Sequence, residues 1–250
     1  MRARGLLVAA VLGVALVPAS AWGDCALPAA VVVPPDGATL PPNPVLFVFV
    51  PDHFGIRPSD TLPLTIVDRS RAKVSFRVTR FGAVPAFAAY RVDLSARAGT
   101  RITVGLRHRL YPDITIARTY SVTDAWKRPP RGTTTVTKVA HASSKWTCSY
   151  QSSSNLTPSR LAPAYRVEWA LSPEDWRRGA RGKLVLPYAS LEFWEEKKAS
   201  QAALLELGHL DCLGFTFEWK GKPIYVGIAA LHPDGSEDPP AAEPVRVSPP

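Results

Sequence analysis

Metal-binding side-chain types stand close together at one place in this chain, His209-Leu210-Asp211-Cys212. Imidazole, carboxylate and thiolate groups all bind transition metals, and on a strand His209 and Asp211 project to the same face. Cys212 would point to the other face, and no second histidine–cysteine cluster has a zinc-like spacing. We therefore expect ordinary strand residues here, with no metal and no cofactor. His209 and Asp211 stay as the candidates for a third function, a metal-dependent enzyme or carrier.

Catalytic motifs give no support for an enzyme. The sequence has no Gly-x-Ser-x-Gly elbow and no His-Glu-x-x-His, and its five histidines are dispersed. The adjacent acids Glu174/Asp175 and Glu195/Glu196 are typical of solvated turns, because a glycosidase pair is normally brought together across a cleft. We predict that the chain is not an enzyme and has no catalytic residue.

Aromatic side chains are concentrated in the second half, and alternation assigns several of them to a core. Tyr165, Val167 and Trp169 fall on one face of a strand, with Arg166 and Glu168 on the other. A buried tryptophan near a disulfide is a familiar arrangement in immunoglobulin-like sandwiches.

Two tryptophans remain as surface candidates. Trp176 is followed by two arginines and Trp194 by two glutamates. Carbohydrate-binding modules stack sugars on exposed tryptophan faces, so Trp176 and Trp194 are the predicted ligand contacts of a glycan-binding module.

The three cysteines, Cys25, Cys148 and Cys212, bear on stability rather than catalysis. Cys148 and Cys212 both fall in the second half and are the predicted disulfide pair. Cys25 is then free, capped by a small thiol or paired with another chain. Lipidation of Cys25 is disfavoured because Asp24 directly precedes it.

Short strands separated by turn residues must position all these groups. Period-2 patterns and turns such as Pro34-Pro35-Asp36-Gly37 predict seven strands in the first half. They are Ala30–Val33, Val45–Val50, Leu62–Val67, Lys73–Thr79, Ala86–Leu94, Arg101–Leu106 and Ile114–Val122. Within the fourth, Val74-Ser75-Phe76-Arg77-Val78 alternates, which predicts one core face and one solvent face.

A charged, proline-rich segment, Asp124–Thr133, is predicted to be a stiff linker. Beyond it the predicted strands are Thr134–Val139, Lys145–Tyr150, Tyr165–Ala170, Lys183–Leu186, Phe215–Trp219, Ile224–Leu231 and Pro244–Val247. Ser190–Leu207 fits either a helix ended by Gly208 or two strands joined by a charged turn, and we favour the two strands. The expected fold class is all-β: two antiparallel sandwiches in tandem, at residues 24–123 and 134–250.

The N-terminus indicates the compartment. Arg2 and Arg4 precede an apolar run, Leu6–Val17, and small residues follow. This is the pattern of a cleavable signal peptide spanning residues 1–23, with cleavage after Gly23. We expect a secreted or periplasmic protein.

Charge gives a weaker indication of partners. The formal net charge is +9, but the basic residues are scattered and form no long run, so we expect no nucleic-acid partner. No second apolar stretch reaches the length of a transmembrane segment. The partner is expected to be an envelope protein or a polysaccharide, and the sequence gives no oligomeric state.

The first half resembles a bacterial immunoglobulin-like domain over residues 25–123. The resemblance is carried by the proline-rich Asp36-Gly37 turn followed by the apolar strand Val45–Phe49, and by Thr119–Thr123 as a later strand. The Ser-Glu or Thr-Glu that often follows this strand in the family is missing here.

The second half is similar to a fibronectin type III domain over residues 134–248. Tyr165–Trp169 resembles strand C, Ile224–Ala230 strand F and Pro244–Val247 strand G. Both resemblances imply modular extracellular sandwiches used for spacing or binding. The leading hypothesis is therefore a non-catalytic, protein-interaction module of the cell envelope that uses loops or an exposed sheet edge, and the alternative is the glycan-binding module.

Overall fold

The computed structural model describes residues 30–51, 62–84, 87–107, 115–146, 149–187, 205–210 and 214–250. The predicted signal segment, the three cysteines, Trp194, Asp211 and all but the last three residues of Ser190–Leu207 lie outside these residues. Among the described residues, no helix is long and apolar enough to cross a membrane.

Two four-stranded sheets form the first half. Its strands are β1 (Val31–Val33), β2 (Thr39–Leu40), β3 (Val45–Pro51), β4 (Leu64–Asp68), β5 (Phe76–Val84), β6 (Phe87–Leu94), β7 (Arg101–Arg107) and β8 (Thr115–Val122). Sheet I has the order β1-β3-β6-β5 and sheet II the order β2-β8-β7-β4. Neighbouring strands are antiparallel except β2 and β8, which are parallel. Each of the seven predicted strands is present with shifted ends, and β2 is additional.

Two further sheets and one short helix form the second half. Its elements are β9 (Val136–Trp146), β10 (Ser149–Pro158), β11 (Ala164–Ala170), α1 (Pro173–Arg177), β12 (Gly182–Pro187), β13 (Leu205–Leu210), β14 (Gly214–Phe215), β15 (Ile224–Leu231), β16 (Glu237–Asp238) and β17 (Val245–Val247). Sheet III has the order β14-β13-β10-β9. Sheet IV has the order β12-β11-β15-β16, with β17 also paired to β15. The all-β class with immunoglobulin-like or fibronectin III-like sandwiches is confirmed.

Three predicted strands of the second half are wrong in extent. The predicted strand Thr134–Val139 covers only the beginning of β9, which continues to Trp146. The chain reverses inside the predicted strand Lys145–Tyr150, because β9 ends at Trp146 and pairs in a hairpin with β10. The predicted strand Phe215–Trp219 stops at Phe215. β10 was missed because its serine-rich sequence has no apolar alternation, and it forms a strand through its pairing with β9 and β13.

The inner core of the first half lies between sheets I and II. Leu46 and Val48 of β3 are fully buried there with Ile102, Val104 and Leu106 of β7. The alternation in β5 is confirmed only in part. Val78 packs against this core, whereas the Phe76 side chain is 39% exposed.

The outer face of sheet I is also buried, and the second half covers it. Phe47, Phe49 and Phe87 belong to one buried cluster with Tyr165 of β11 and Val185 of β12. Both faces of β3 are therefore covered, which explains its unbroken apolar sequence. The two halves of the chain share a hydrophobic core beyond the linker that joins them.

Candidate functional site

An open cleft lies at one end of the second half, where β11 and β12 meet the chain that follows β14. Its volume is about 600 Å³, which is within the usual range of ligand pockets. We call it the aromatic cleft, and its lining residues are Trp169, Leu171, Lys183, Leu184, Thr216, Phe217, Glu218, Lys220, Lys222 and Ile224.

Aromatic rings in edge contact form one side of this cleft. The ring centroids of Trp169 and Phe217 are 5.3 Å apart at 81°, and those of Phe217 and Trp219 are 5.0 Å apart at 74°. Trp169 can lie flat over β12 only because residue 182 is glycine. A Cβ there would stand 2.2 Å from Trp169 Cε2. Such edge contacts hold the three rings in a fixed arrangement.

Buried hydrogen bonds anchor the loop that carries Phe217. Thr216 is 2% exposed, and its hydroxyl lies 2.8 Å from Glu206 O and 3.1 Å from Gly208 N. The Thr216 N–H donates to Gly208 O at 2.9 Å. Trp219 Nε1 donates to Leu207 O at 3.1 Å. The loop is therefore fixed to β13 on both sides of Phe217.

The mouth of the cleft is basic and carries an exposed leucine. Lys220 and Lys222 are exposed, against one exposed acid, Glu218. The third lining lysine, Lys183, lies opposite Glu168 in the ladder, and its Nζ is 4.0 Å from Glu168 Oε1. Leu171 is 62% exposed at the rim. An exposed leucine among lysines beside an aromatic wall is a surface suited to an apolar group with negative charge around it.

A buried ion-pair network supports the sheet from its other face. The Glu168 carboxylate is 5% exposed and lies 3.1 Å from Arg166 Nε and 2.8 Å from Arg181 Nη1. Arg166 also binds Glu237 through both of its terminal nitrogens. Burial raises the pKa of Glu168, but the hydrogen bonds from Arg181 and Arg166 outweigh it and leave the pKa below its usual value. Glu168 is therefore a charged, structural group.

Trp176 is not a surface aromatic, so the prediction of a ligand contact there is wrong. Its side chain is 3% exposed, and its indole N–H donates to Ala242 O at 3.0 Å. The Arg181 guanidinium lies 3.9 Å from the ring centroid. A Cβ at Gly227 would stand 2.3 Å from Trp176 Cη2. The ring fills a space over sheet IV that glycine leaves open.

Helix α1 explains this placement and could have been found from the sequence. Ser172 caps the helix by accepting the Asp175 N–H at 3.0 Å, and Pro173 follows it. The predicted solvated pair Glu174/Asp175 lies in the first turn, where each acid pairs with an arginine three residues later. The Arg178 and Ser172 hydrogen bonds lower the pKa of Asp175.

The remaining chemical candidates are placed only in part. His209 lies on β13 with its backbone opposite Ser152 and Phe215. Within the described ranges, no group of three or more His, Cys, Asp or Glu side chains is arranged to hold a metal ion. One Ser-x-x-Lys spacing occurs in the chain, at Ser70 and Lys73. The Ser70 hydroxyl donates to Asp68 at 2.6 Å on an exposed turn, so the spacing is part of that turn.

A second polar cluster joins the linker to the second half, and sequence reasoning missed it. His232 and Asp238 are 2% and 1% exposed, and His232 Nε2 lies 2.9 Å from Asp238 Oδ2. Arg160 Nε donates to the same oxygen at 2.9 Å, and the Gly132 N–H donates to Asp238 Oδ1 at 3.4 Å. Arg160 also binds Pro130 O. The segment predicted as a stiff linker is thus held against the β15–β16 turn.

Electrostatics keep Asp238 charged in this cluster. Burial raises its pKa, but hydrogen bonds from His232 and the Gly132 amide, with the charges of His232 and Arg160, outweigh that effect. The pKa of Asp238 is therefore below its usual value. The same turn contacts the first half, since the Val45 N–H donates to Pro233 O at 2.6 Å.

Comparisons with known proteins identify no family for this chain. No protein-family model and no curated protein matches the chain. Among solved structures, chicken CNTN1 FN1-FN3 domains match with a TM-score of 0.26 and 10% identity, over 86% of this chain and 68% of that one. Pullulanase from Anoxybacillus sp. LM18-11, in complex with maltotriose, matches with a TM-score of 0.23 and 9% identity, over 80% of this chain and 24% of that one.

Proposed function

We propose that this protein is a non-catalytic binding module of the cell envelope and that an envelope protein binds in the aromatic cleft. The observation that carries the proposal is the combination of fixed rings, Trp169 and Phe217, with the exposed Leu171 beside Lys220 and Lys222. Rigid aromatic side chains and buried aliphatic contacts supply most of the affinity at protein interfaces.

The chemistry of the cleft defines the partner segment. An apolar side chain would enter between Trp169, Phe217 and Ile224. Acidic residues beside it would meet Lys220 and Lys222 at the mouth. Such charges chiefly raise the association rate and select the partner, whereas the apolar contact supplies affinity.

The wider arrangement in this proposal follows the sequence resemblances. The first half would be a bacterial immunoglobulin-like domain that sets the position of the second, a fibronectin III-like domain that carries the cleft. The signal peptide would deliver the chain to the periplasm or the exterior. There the pair Cys148–Cys212 would be oxidised.

Site-specific crosslinking in the expressing cells tests the cleft. A photoreactive phenylalanine derivative replaces either Leu171, at the rim, or Leu161, which is 73% exposed and does not line the cleft. We expect an adduct with an envelope protein from position 171 and none from position 161. The adduct should disappear in the double variant Lys220→Glu/Lys222→Glu and persist in the matched control Lys127→Glu/Lys138→Glu. Equal adducts from both positions, or an adduct unaffected by the cleft charges, would refute the proposal.

The glycan alternative keeps Trp194, which lies outside the described residues, and gains Trp169, because this half-buried tryptophan lines the cleft. It predicts that envelope polysaccharide quenches or blue-shifts the tryptophan fluorescence of the intact protein. It also predicts that Trp169→Phe abolishes the change. Polysaccharide binding that depends on Trp169, with no protein adduct at position 171, would replace the protein partner by a glycan.

A further inference from the structure

One edge of the first half carries a cluster of basic side chains around an exposed phenylalanine. Arg69, Arg71 and Lys73 lie on and after the turn that follows β4, and Arg77 and Arg80 lie in the first part of β5. All five are exposed. We call this surface the basic edge, which consists of Arg69, Arg71, Lys73, Phe76, Arg77 and Arg80.

Asp68 shapes the turn and leaves its basic residues available. Its carboxylate accepts the Ser70 N–H at 2.8 Å, the Ser70 hydroxyl at 2.6 Å and the Ala72 N–H at 3.0 Å. Those bonds, the Ser70 hydroxyl first, lower the pKa of Asp68. The one acid of the turn is therefore bound to the turn itself, and the neighbouring arginines point out from a fixed backbone.

The charge of the basic edge is largely uncompensated within the described residues. Among the residues that the structure describes, none forms an ion pair with Arg69, Arg71, Lys73, Arg77 or Arg80. Asp93 stands opposite Arg77 in the ladder, but it is paired with Arg91, whose Nη2 lies 2.8 Å from its carboxylate. The region contains six basic side chains, the five named above and Arg91, and two acids, Asp68 and Asp93. Its net charge is therefore about +4, which is enough for a local positive potential.

Phe76 gives this edge an apolar group. It is one of three large hydrophobic residues exposed among the described residues, at 39%, and it stands between Lys73 and Arg77 in the chain. β5 is one of the two edge strands of sheet I. Its later part is covered, because a Cβ at Gly82 would lie 3.4 Å from Val185 Cγ2. The uncovered part of the strand is the part that carries Phe76 and the arginines.

We propose that the basic edge docks the protein onto an anionic lipid surface, with the arginines and the lysine on lipid phosphates and Phe76 in the interfacial region. A basic patch with an inserted aromatic ring is suited to a membrane surface. Nucleic acid is disfavoured because the edge offers a single ring, whereas single-strand binding surfaces present several rings for successive bases. The proposal is independent of the aromatic cleft. None of the residues of the basic edge lines the aromatic cleft.

Vesicle co-sedimentation of the purified protein tests this proposal. Vesicles of phosphatidylcholine with 30% phosphatidylglycerol, about a third anionic lipid, are compared with pure phosphatidylcholine. Every variant has the same N-terminus. Any vesicle binding by the apolar segment Leu6–Val17 is therefore the same in all of them. We expect binding to the anionic vesicles that weakens as salt is raised.

The variants separate the basic edge from general positive charge. Each basic residue near an anionic surface contributes about fivefold to partitioning, so Arg69→Gln/Lys73→Gln should weaken binding by about 25-fold. Phe76→Ser should weaken it by about tenfold, and Phe76→Leu should retain it. The control Lys220→Gln/Lys222→Gln removes the same charge from the cleft and should change binding by less than about twofold.

Three results would overturn the lipid assignment. The first is equal binding to neutral and anionic vesicles. The second is an equal loss in the basic-edge and cleft variants at unchanged melting temperature. The third is displacement from the vesicles by an oligonucleotide at equimolar phosphate, because that would make the edge a general polyanion site.

Discussion

Replacing Phe49 by alanine tests whether the two halves of the chain form one cooperative unit. Phe49 is fully buried on the outer face of sheet I, with its ring centroid 5.6 Å from that of Phe87 in edge contact. It shares a cluster with β11, β12 and β15 of the second half. Truncating a buried phenylalanine costs about 3–5 kcal/mol. For a unit of this size each kcal/mol lowers the melting temperature by about 2–4 °C, so we expect a decrease of about 10 °C.

Tryptophan fluorescence makes the assay selective, because every tryptophan in the described residues lies beyond residue 123. We expect Phe49→Ala, a change in the first half, to move the fluorescence-detected transition and the far-ultraviolet circular dichroism transition by the same amount. Leu46→Ala, three positions earlier on the inner face of the same strand, is the control. It removes a buried side chain from the core of the first half. The shared core would be refuted by an unchanged temperature of the fluorescence transition together with a separate circular dichroism transition at a lower temperature.

Three other perturbations give independent predictions. Asp238→Asn should make the free energy of unfolding decrease less steeply as the pH is lowered into the acid range. The pKa of Asp238 in the folded protein is below its usual value of 3.8. The stabilisation that the Asp238 carboxylate contributes is therefore complete above pH 3.8 and is lost as the pH falls through the lower folded pKa. Thermal unfolding at stepped pH measures this, and an equally steep decrease in both proteins would count against it. Gly182→Ala should displace the Trp169 ring, destabilise the protein by about 1–3 kcal/mol and reduce crosslinking at position 171, which unchanged crosslinking would contradict. Reducing agent should lower the fluorescence-detected melting temperature if Cys148 and Cys212 are bridged, since closing a loop of about 64 residues stabilises the fold by about 4 kcal/mol. Equal melting with and without reductant would disprove the pairing or its importance.

The elements that the sequence predicted well are those whose evidence is local. β11 and β15 were found because their apolar patterns are clear over seven and eight residues. β10 was missed because only its neighbours make it a strand, and the placement of Trp176 depended on Gly227, far along the chain.

The candidate site was predictable only in part for the same reason. Trp169 was expected to be a core aromatic, and its packing against Phe217 agrees with that. The cleft that these two rings line needs a loop anchored by Thr216 to β13, which no local pattern indicates. The cluster of His232, Asp238 and Arg160 was likewise hidden, because Arg160 lies 78 residues before Asp238.

Hydrogen–deuterium exchange of the intact protein, with and without the partner recovered by crosslinking, tests the central claim most directly. The account predicts that the partner slows exchange at residues 169–171, 183–184 and 216–224, which surround the aromatic cleft. It also predicts unchanged exchange at residues 69–80. Protection that falls on another surface and leaves the cleft segments unchanged would contradict the assignment of the aromatic cleft as the binding site.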